Sequence, residues 1–174
     1  MTKIKTATLN LRVGQGLLER GLNLSGREMS GAFDSLSIKE QIGFIKEDLQ
    51  SDYWSRDSKV LAVSYGAYLL LQTLADLEPY PGSILMLSPV LGGVINSNEM
   101  RYYSPPRSEK IMNIVKDKVF PNPYRIECHV GDNDWQSPSD RVIGFSKSVG
   151  GKYNIVLDTG HDLGKEYVGS VLER

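Results

Sequence analysis

The sequence predicts an α/β fold, a three-layer sandwich in which a mostly parallel sheet carries helices on both faces. Short apolar runs rich in β-branched residues alternate with longer segments whose apolar residues recur at helical spacing. About six runs have the strand pattern, and this alternation is typical of parallel sheets joined by helical crossovers. With 174 residues and no internal repeat or linker, the chain is expected to form one domain over residues 1–174.

The individual elements follow from the same patterns taken in chain order. Strands are predicted at Ile4–Val13, Leu22–Met29, Val60–Val63, Ser83–Ser88, Tyr124–Val130 and Asn154–Leu157. Helices are predicted after Ser37 to about Leu49 and at Ala67–Leu74, Ser108–Val119, Asp140–Ser148 and Gly164–Leu172, with a short helical turn at Leu17–Arg20. Ser37 and Glu40 have the spacing of a capping box. Residues 31–35 and 91–104 are predicted to be irregular.

Composition and charge narrow the classes of function. The chain is 40% hydrophobic and 24% charged with a net charge of −1, and it has no basic run, so no nucleic-acid partner is expected. Its apolar runs are too short to span a bilayer, and its first residues lack the apolar stretch of a secretory signal. The single cysteine, Cys128, excludes an intramolecular disulfide and a cysteine metal cluster. These features predict a cytoplasmic protein with no membrane partner.

The most informative stretch, residues 59–74, changes from strand to helix within a few residues. Its first part is a short apolar run typical of a buried strand, and its last part has helical spacing. The turn between them must be sharp, and Ser64 lies at its tip beside the first N–H groups of a helix. Ala62 and Gly66 flank the serine, where larger side chains would clash. A buried strand–helix turn with a serine cap would have the same pattern.

This turn resembles the nucleophile elbow of the α/β-hydrolase superfamily. The family pattern is G-x-S-x-G between a strand and a helix. This chain has alanine in place of the first glycine, in the segment Ala62-Val63-Ser64-Tyr65-Gly66. The resemblance implies a minimal α/β-hydrolase fold, similar to small lidless esterases and lipases, with Ser64 as the nucleophile. The chain looks trimmed, because family members usually begin with two further strands.

Two further loops are similar to those that carry the other triad members in this family. After the fifth predicted strand, residues 131–138 resemble the pattern G-x-x-D-x-x-V-P, with Ser137 in place of valine. The resemblance assigns Asp134 as the acid, and Asp132 in the same loop is the alternative. His161 follows the last predicted strand and resembles the family's histidine. The chain order serine, aspartate, histidine is the order found in this family.

The three residue types are those that acyl transfer requires. A serine hydroxyl is a weak nucleophile until a base takes its proton. Histidine has a reference pKa of about 6.5, so it can accept that proton and later return it to the leaving group. A carboxylate fixes the imidazole tautomer and stabilises its charged form. A turn aspartate and a structural histidine are the alternatives, but the only other histidine, His129, lies inside a strand pattern.

The resemblance also implies an oxyanion hole. The backbone N–H of Tyr65, the residue after the nucleophile, is expected to give one donor. The second donor should come from the loop after the first strand, where the family often has His-Gly and this chain does not. Leu11 or Arg12 supplies it if the strand ends early, and Gln15 supplies it if the strand ends at Val13.

Residues 91–122 are expected to form a short cap-like insertion, at the place where lids occur in the family. The insertion either brings Tyr102, Tyr103 and the Pro105-Pro106 turn near the pocket or forms a surface loop whose tyrosines pack on the sheet. A cover this small implies an open site for a small or flexible acyl group.

Three other interpretations receive less support. A dinucleotide-binding fold would use Gly14 and Gly16 after the first strand, but Glu19 stands where that motif needs its third glycine. Residues 132–134 with His161 could form an oxygen-rich metal site, but no ligand motif supports it. A non-catalytic binding module could use the same hydrolase scaffold.

The sequence therefore predicts a serine hydrolase that cleaves a carboxylic ester or thioester through an acyl-enzyme. It is expected to need no cofactor and no metal, and its partner is a small-molecule acyl substrate. The number of subunits is left open.

Overall fold

The central sheet of the computed structural model has six parallel strands, as the sequence predicts. The structure describes residues 3–6, 23–27, 30–96 and 100–172. Its strands are β1 (Lys3–Thr6), β2 (Asn23–Gly26), β3 (Lys59–Val63), β4 (Ser83–Leu87), β5 (Val94–Asn96), β6 (Arg101–Tyr103), β7 (Arg125–Gly131) and β8 (Lys152–Val156). The sheet order is β2-β1-β3-β4-β7-β8, and every neighbouring pair is parallel. The carboxyl ends of β3, β4, β7 and β8 therefore lie side by side.

The helices agree with the predicted ones to within a few residues, with one addition. They are α1 (Gly31–Asp34), α2 (Ile38–Asp52), α3 (Tyr65–Leu74), α4 (Ser108–Lys116), α5 (Ser139–Ser148) and α6 (Lys165–Leu172). In the part of the chain that the structure describes, no helix has the length and apolar character needed to cross a membrane. The predicted strand residues 7–13 and the predicted turn at 17–20 lie outside the described residues.

The prediction of irregular structure was wrong in two places. Residues 31–34 form the short helix α1, which has no buried residue and is too short to show an apolar period. Within 91–104, β5 and β6 pair as an antiparallel ribbon separate from the main sheet. Three-residue strands carry too few alternations for the sequence pattern to reveal them.

The start of α2 has the capping box that the sequence predicts. The Ser37 hydroxyl accepts from the backbone N–H of Glu40, and the Glu40 carboxylate accepts from the backbone N–H of Ser37. These bonds satisfy donors that a helix terminus otherwise leaves unpaired. The helix ends at Asp52, three residues beyond the predicted end. It packs Ile45 and Leu49 into the core.

Both faces of the sheet are covered. Along β3, Val60 and Ala62 belong to the larger core cluster, in which α2, α3, α4 and α5 also take part. Leu61 belongs to a second cluster with residues from α6, and Val63 packs against that cluster. This alternation places successive side chains on opposite faces of a strand that is buried on both sides. The predicted arrangement of helices on both faces is thereby confirmed.

Candidate active site

The turn between β3 and α3 holds Ser64 in a strained backbone conformation. Ser64 has φ 52° and ψ −123°, a region that non-glycine residues rarely adopt and that is disfavoured by about 1–3 kcal/mol. Neighbouring backbone groups hold it there: its N–H donates to the Leu87 carbonyl at 2.9 Å, and its carbonyl accepts from the Val90 N–H at 3.3 Å. Ala62 and Gly66 are buried, in agreement with the small residues expected on each side of the turn.

The structure brings Ser64 into line with His161 and Asp134. The Ser64 Oγ lies 2.7 Å from His161 Nε2. The opposite ring nitrogen, Nδ1, lies 2.8 Å from Asp134 Oδ2 and 2.9 Å from Oδ1. The His161 side chain keeps a quarter of its surface exposed, whereas that of Asp134 is fully buried. An ionised carboxylate only accepts hydrogen bonds, so Nδ1 carries the proton and Nε2 is free to accept from the serine hydroxyl.

The buried carboxylate of Asp134 accepts hydrogen bonds from two backbone groups of its own loop. Its Oδ1 accepts from the backbone N–H groups of Gln136 at 2.9 Å and Ser137 at 3.1 Å, in addition to His161. Burial of a carboxylate is tolerated when such bonds replace its lost hydration. The loop therefore fixes the direction from which Asp134 meets the imidazole ring.

Asp132, the alternative acid, contacts a different partner. Its Oδ1 accepts from the backbone N–H of Thr159 at 3.1 Å and from the Asn133 side chain at 3.0 Å, and the residue is exposed. Asp132 thus joins the loop after β7 to the loop that carries His161. Of the two carboxylates, Asp134 is the one that contacts the imidazole ring.

Gly131 explains why the loops after β7 and β8 lie so close together. A Cβ atom at this position would lie 2.1 Å from the Thr159 carbonyl oxygen and 2.3 Å from that of Gly160. Both atoms belong to the backbone, which cannot rotate away. Glycine at the end of β7 therefore allows the segment before His161 to pack directly against the strand.

The second histidine is a buried residue of β7 on the α6 face. His129 Nδ1 lies 2.7 Å from the Tyr167 hydroxyl and Nε2 lies 3.0 Å from Glu127 Oε1. Its side chain is 2% exposed. His129 therefore has structural partners for both ring nitrogens, as its place in a strand pattern suggests.

Only part of the expected oxyanion hole falls within the described residues. Tyr65 is the first residue of α3, where backbone N–H groups have no acceptor in the preceding turn of the helix. Its N–H is thus available beside the Ser64 hydroxyl. Leu11, Arg12 and Gln15, the candidates for the second donor, lie outside the described residues.

A groove lies beside the elbow, between α1, α2 and the segment after β6. It measures about 540 Å³, and its lining includes Tyr65, Ile38, Tyr103 and Pro106. The Tyr65 ring stacks on Tyr68 with centroids 5.4 Å apart. The Tyr68 hydroxyl donates to the Pro106 carbonyl, and burial raises the pKa of this phenol to about 12.

Tyrosines 102 and 103 differ in position. Tyr103 lines the groove, whereas Tyr102 is two-thirds exposed and is not part of the lining. The segment thus brings Tyr103 and Pro106 near the elbow. Among the described residues, those of the site included, no three His, Cys, Asp or Glu side chains are placed to hold a metal ion.

Two serines to which the sequence interpretation gave no role in the site also belong to this edge of the sheet. Ser88 follows β4 directly, and its hydroxyl donates to the His161 carbonyl at 2.8 Å. The Ser137 hydroxyl donates to the Ser88 carbonyl at 2.8 Å. The available signal was position alone: Ser88 is the last residue of a predicted buried strand, directly before Pro89.

Solved structures resemble this chain over nearly its whole length, although no protein-family model and no curated protein matches its sequence. The ydeN gene product of B. subtilis is 11% identical, with a TM-score of 0.68 over 99% of this chain and 97% of that protein. The monoacylglycerol lipase of Paleococcus ferrophilus is 10% identical, with a TM-score of 0.67 over 98% of this chain and 92% of that one. The esterase Pf2001 of Pyrococcus furiosus is 14% identical, with a TM-score of 0.64 over 99% and 83%.

These similarities define the fold. The chain has the α/β-hydrolase fold, in a small version with a six-stranded parallel sheet and helices on both faces. The α/β fold class predicted from the alternation of strands and helices is therefore confirmed. Because fold does not fix chemistry, the activity is argued from the site.

Proposed function

We propose that this protein is a serine hydrolase that cleaves a carboxylic ester or a thioester through an acyl-enzyme on Ser64. The observation that carries the proposal is the hydrogen-bonded chain from the Ser64 hydroxyl through His161 to the buried carboxylate of Asp134. Its two contacts have the lengths of direct hydrogen bonds. They join residues 97 and 27 positions apart along the chain. The named esterase and lipase neighbours are consistent with this chemistry.

The first half of the proposed reaction transfers the acyl group to the enzyme. His161 Nε2 takes the proton of Ser64 as its Oγ bonds to the substrate carbonyl carbon. The oxyanion that develops is stabilised by the Tyr65 N–H. Collapse of the tetrahedral intermediate breaks the bond to the alcohol or thiol, which leaves with the proton from His161. The Asp134 carboxylate stabilises the imidazolium throughout.

The second half returns the enzyme to its starting state. Water loses a proton to His161 Nε2 as its oxygen adds to the acyl carbon. The bond from that carbon to Ser64 Oγ then breaks, and Ser64 Oγ takes the proton back from His161. The reaction uses no cofactor.

We further propose that residues 91–122 act as a small cover of the site in a single-domain protein, because Tyr103 and Pro106 line the groove beside the elbow.

Labelling with a fluorophosphonate probe tests the proposal, because such probes react with an activated serine. We expect the wild type to be labelled, with the adduct on Ser64 by peptide mass spectrometry. Ser64→Ala and His161→Ala should each lower labelling and the hydrolysis of p-nitrophenyl acetate by at least ~10⁴-fold, to background. Short-chain esters and thioesters would then define the acyl specificity.

Ser51→Ala is the matched control for the serine substitution, since Ser51 is an exposed serine at the end of α2. It should be labelled like the wild type. A folded wild type, judged by circular dichroism, that resists the probe and hydrolyses none of the esters would overturn the proposal. A binding module on a hydrolase scaffold would then be the remaining interpretation.

A further inference from the structure

Ser88, the first residue after β4, lies in a short segment that hydrogen bonds to the elbow and to the loops that carry His161 and Asp134. The segment Leu87–Val90 hydrogen bonds to both the N–H and the carbonyl of Ser64. Within it, the Ser88 hydroxyl donates to the carbonyl of His161 at 2.8 Å. The Ser88 carbonyl accepts from the hydroxyl of Ser137 at 2.8 Å.

The contact with Ser137 reaches the acid of the site. The backbone N–H of Ser137 donates to Asp134 Oδ1 at 3.1 Å, so the residue that binds Ser88 with its hydroxyl binds the carboxylate with its backbone. A further bond, from the Ser88 N–H to the His129 carbonyl at 2.7 Å, fixes Ser88 to β7. Ser88 therefore lies where three segments meet: the elbow at Ser64, the loop after β7 that carries Asp134 (the acid loop) and the loop after β8 that carries His161 (the histidine loop).

Hydrogen bonds hold Ser88 in an unfavourable backbone conformation. Ser88 has φ 46°, in the left-handed region that favours glycine, yet the residue is only 1% exposed and its N–H, hydroxyl and carbonyl all have partners. Rotation of the Ser88 side chain would break its bond to the His161 carbonyl and leave the buried hydroxyl unpaired, so the hydroxyl is held in one orientation. Ser137 is equally buried.

We propose that Ser88 is a positioning residue that sets the distances between Ser64, His161 and Asp134 by hydrogen bonding to the histidine loop and the acid loop. This inference rests on the proposed serine hydrolase activity. Ser88 contacts no reacting atom itself. It acts through the backbone of His161 and through Ser137.

Fluorophosphonate labelling at a series of probe concentrations separates the rate of the chemical step from binding of the probe. In Ser88→Ala we expect the maximal labelling rate to fall about 10–100-fold, because a displacement of the order of 1 Å has this effect on a reacting pair. The probe concentration that gives the half-maximal rate should stay within about threefold, since Ser88 does not line the groove. Ser88→Gly relieves the backbone strain but also lacks the hydroxyl, so its labelling rate should fall similarly.

Tyr80→Phe is the control for a purely structural effect. The Tyr80 hydroxyl donates to the Tyr53 carbonyl at 2.8 Å in the core, before β4 begins. Its removal deletes a buried hydroxyl–carbonyl bond of the same length as that of Ser88. Tyr80→Phe should lower the melting temperature and leave the maximal labelling rate within about twofold of the wild type.

Ser137→Ala tests the branch that leads to the acid. It removes the bond to Ser88 and keeps the backbone donor to Asp134, so its labelling rate should fall less than that of Ser88→Ala. The double variant should be slower than the wild type by less than the product of the two single effects, because both substitutions act on one network. Independent effects that multiply fully would contradict the inference.

The outcomes separate the two proposals. A folded wild type that is not labelled and hydrolyses none of the esters refutes the serine hydrolase, whatever Ser88 does. A labelled wild type with Ser88→Ala and Ser88→Gly reacting as fast as Tyr80→Phe refutes the positioning role alone. A measurement independent of activity is the downfield proton resonance of His161 Nδ1, which Ser88→Ala should broaden or shift and Tyr80→Phe should not.

Discussion

The interior of the central strands and their carboxyl ends are stabilised in different ways. Inside β3 and β4, residues such as Ala62, Ile84 and Met86 are buried among apolar side chains. Directly beyond the same strands, Ser64 and Ser88 have positive φ values and are held by hydrogen bonds to neighbouring strands and loops. Packing is non-directional, whereas hydrogen bonds fix distances and angles. We therefore expect substitutions in the interior to lower stability and substitutions at the carboxyl ends to lower the reaction rate.

The largest effect on rate, after loss of the serine or histidine, is expected for Asp134→Asn. Asparagine keeps the shape of the side chain but removes the charge that stabilises the imidazolium and fixes the Nδ1 tautomer. We expect kcat for p-nitrophenyl acetate to fall by about 10³–10⁴-fold, measured by steady-state kinetics.

Asp132→Asn is the matched control in the same loop. An asparagine oxygen can still accept from the Thr159 N–H, so kcat should stay within about threefold of the wild type. A loss of activity equal to that of Asp134→Asn would show that the acid had been assigned to the wrong carboxylate.

An intermediate effect is expected for Gly131→Ala. The added methyl would lie 2.1 Å from the Thr159 carbonyl and would push the histidine loop away from β7. We expect kcat to fall about 10²-fold through displacement of His161, and the free energy of unfolding to fall by about 1–3 kcal/mol. Steady-state kinetics and urea denaturation measure the two quantities.

Gly144→Ala is the control for this substitution, because a Cβ atom at that position in α5 meets no atom within 4 Å. Alanine should raise the free energy of unfolding by about 0.5–1 kcal/mol and leave kcat unchanged. Equal activities of the two glycine variants would mean that the close approach at Gly131 does not position the histidine loop.

The smallest effect on rate is expected for Ile84→Val, in the interior of the strand that ends before Ser88. Ile84 is 2% exposed, and loss of one buried methylene should lower the free energy of unfolding by about 0.5–1.5 kcal/mol. The kcat of the folded protein should not change. A rate loss comparable to that of Ser88→Ala would remove the distinction between strand interior and strand end.

Several features could be predicted from local sequence because the physics that forms them is local. The capping box of Ser37 and Glu40, the apolar run of β3 and the small residues around Ser64 each involve neighbours within a few positions. Parallel topology followed from the alternation of strands and helices. Errors fell on elements too short for a period to be visible, the helix α1 and the ribbon of β5 and β6.

The contacts between loops could not be predicted from local patterns. Asp132 and Asp134 lie two positions apart in one loop, and only the fold turns one carboxylate to the imidazole and the other to a backbone N–H. Ser88 has no distinguishing sequence pattern, since its partners lie 49 and 73 positions away. The cap assignment and the catalytic roles are predictions, and the kinetic experiments above test the catalytic roles.

The sequence by itself determined the parallel α/β architecture, the sharp turn at Ser64 and the candidate residue types in their order, because these depend on periodicity and on local sterics. Only the tertiary structure decided which carboxylate meets His161, how closely Gly131 lets the histidine loop approach, and that Ser88 joins the loops. The physical reason is that hydrogen bonds act over about 3 Å. Residues distant in the chain come within that range only when the complete sheet has formed.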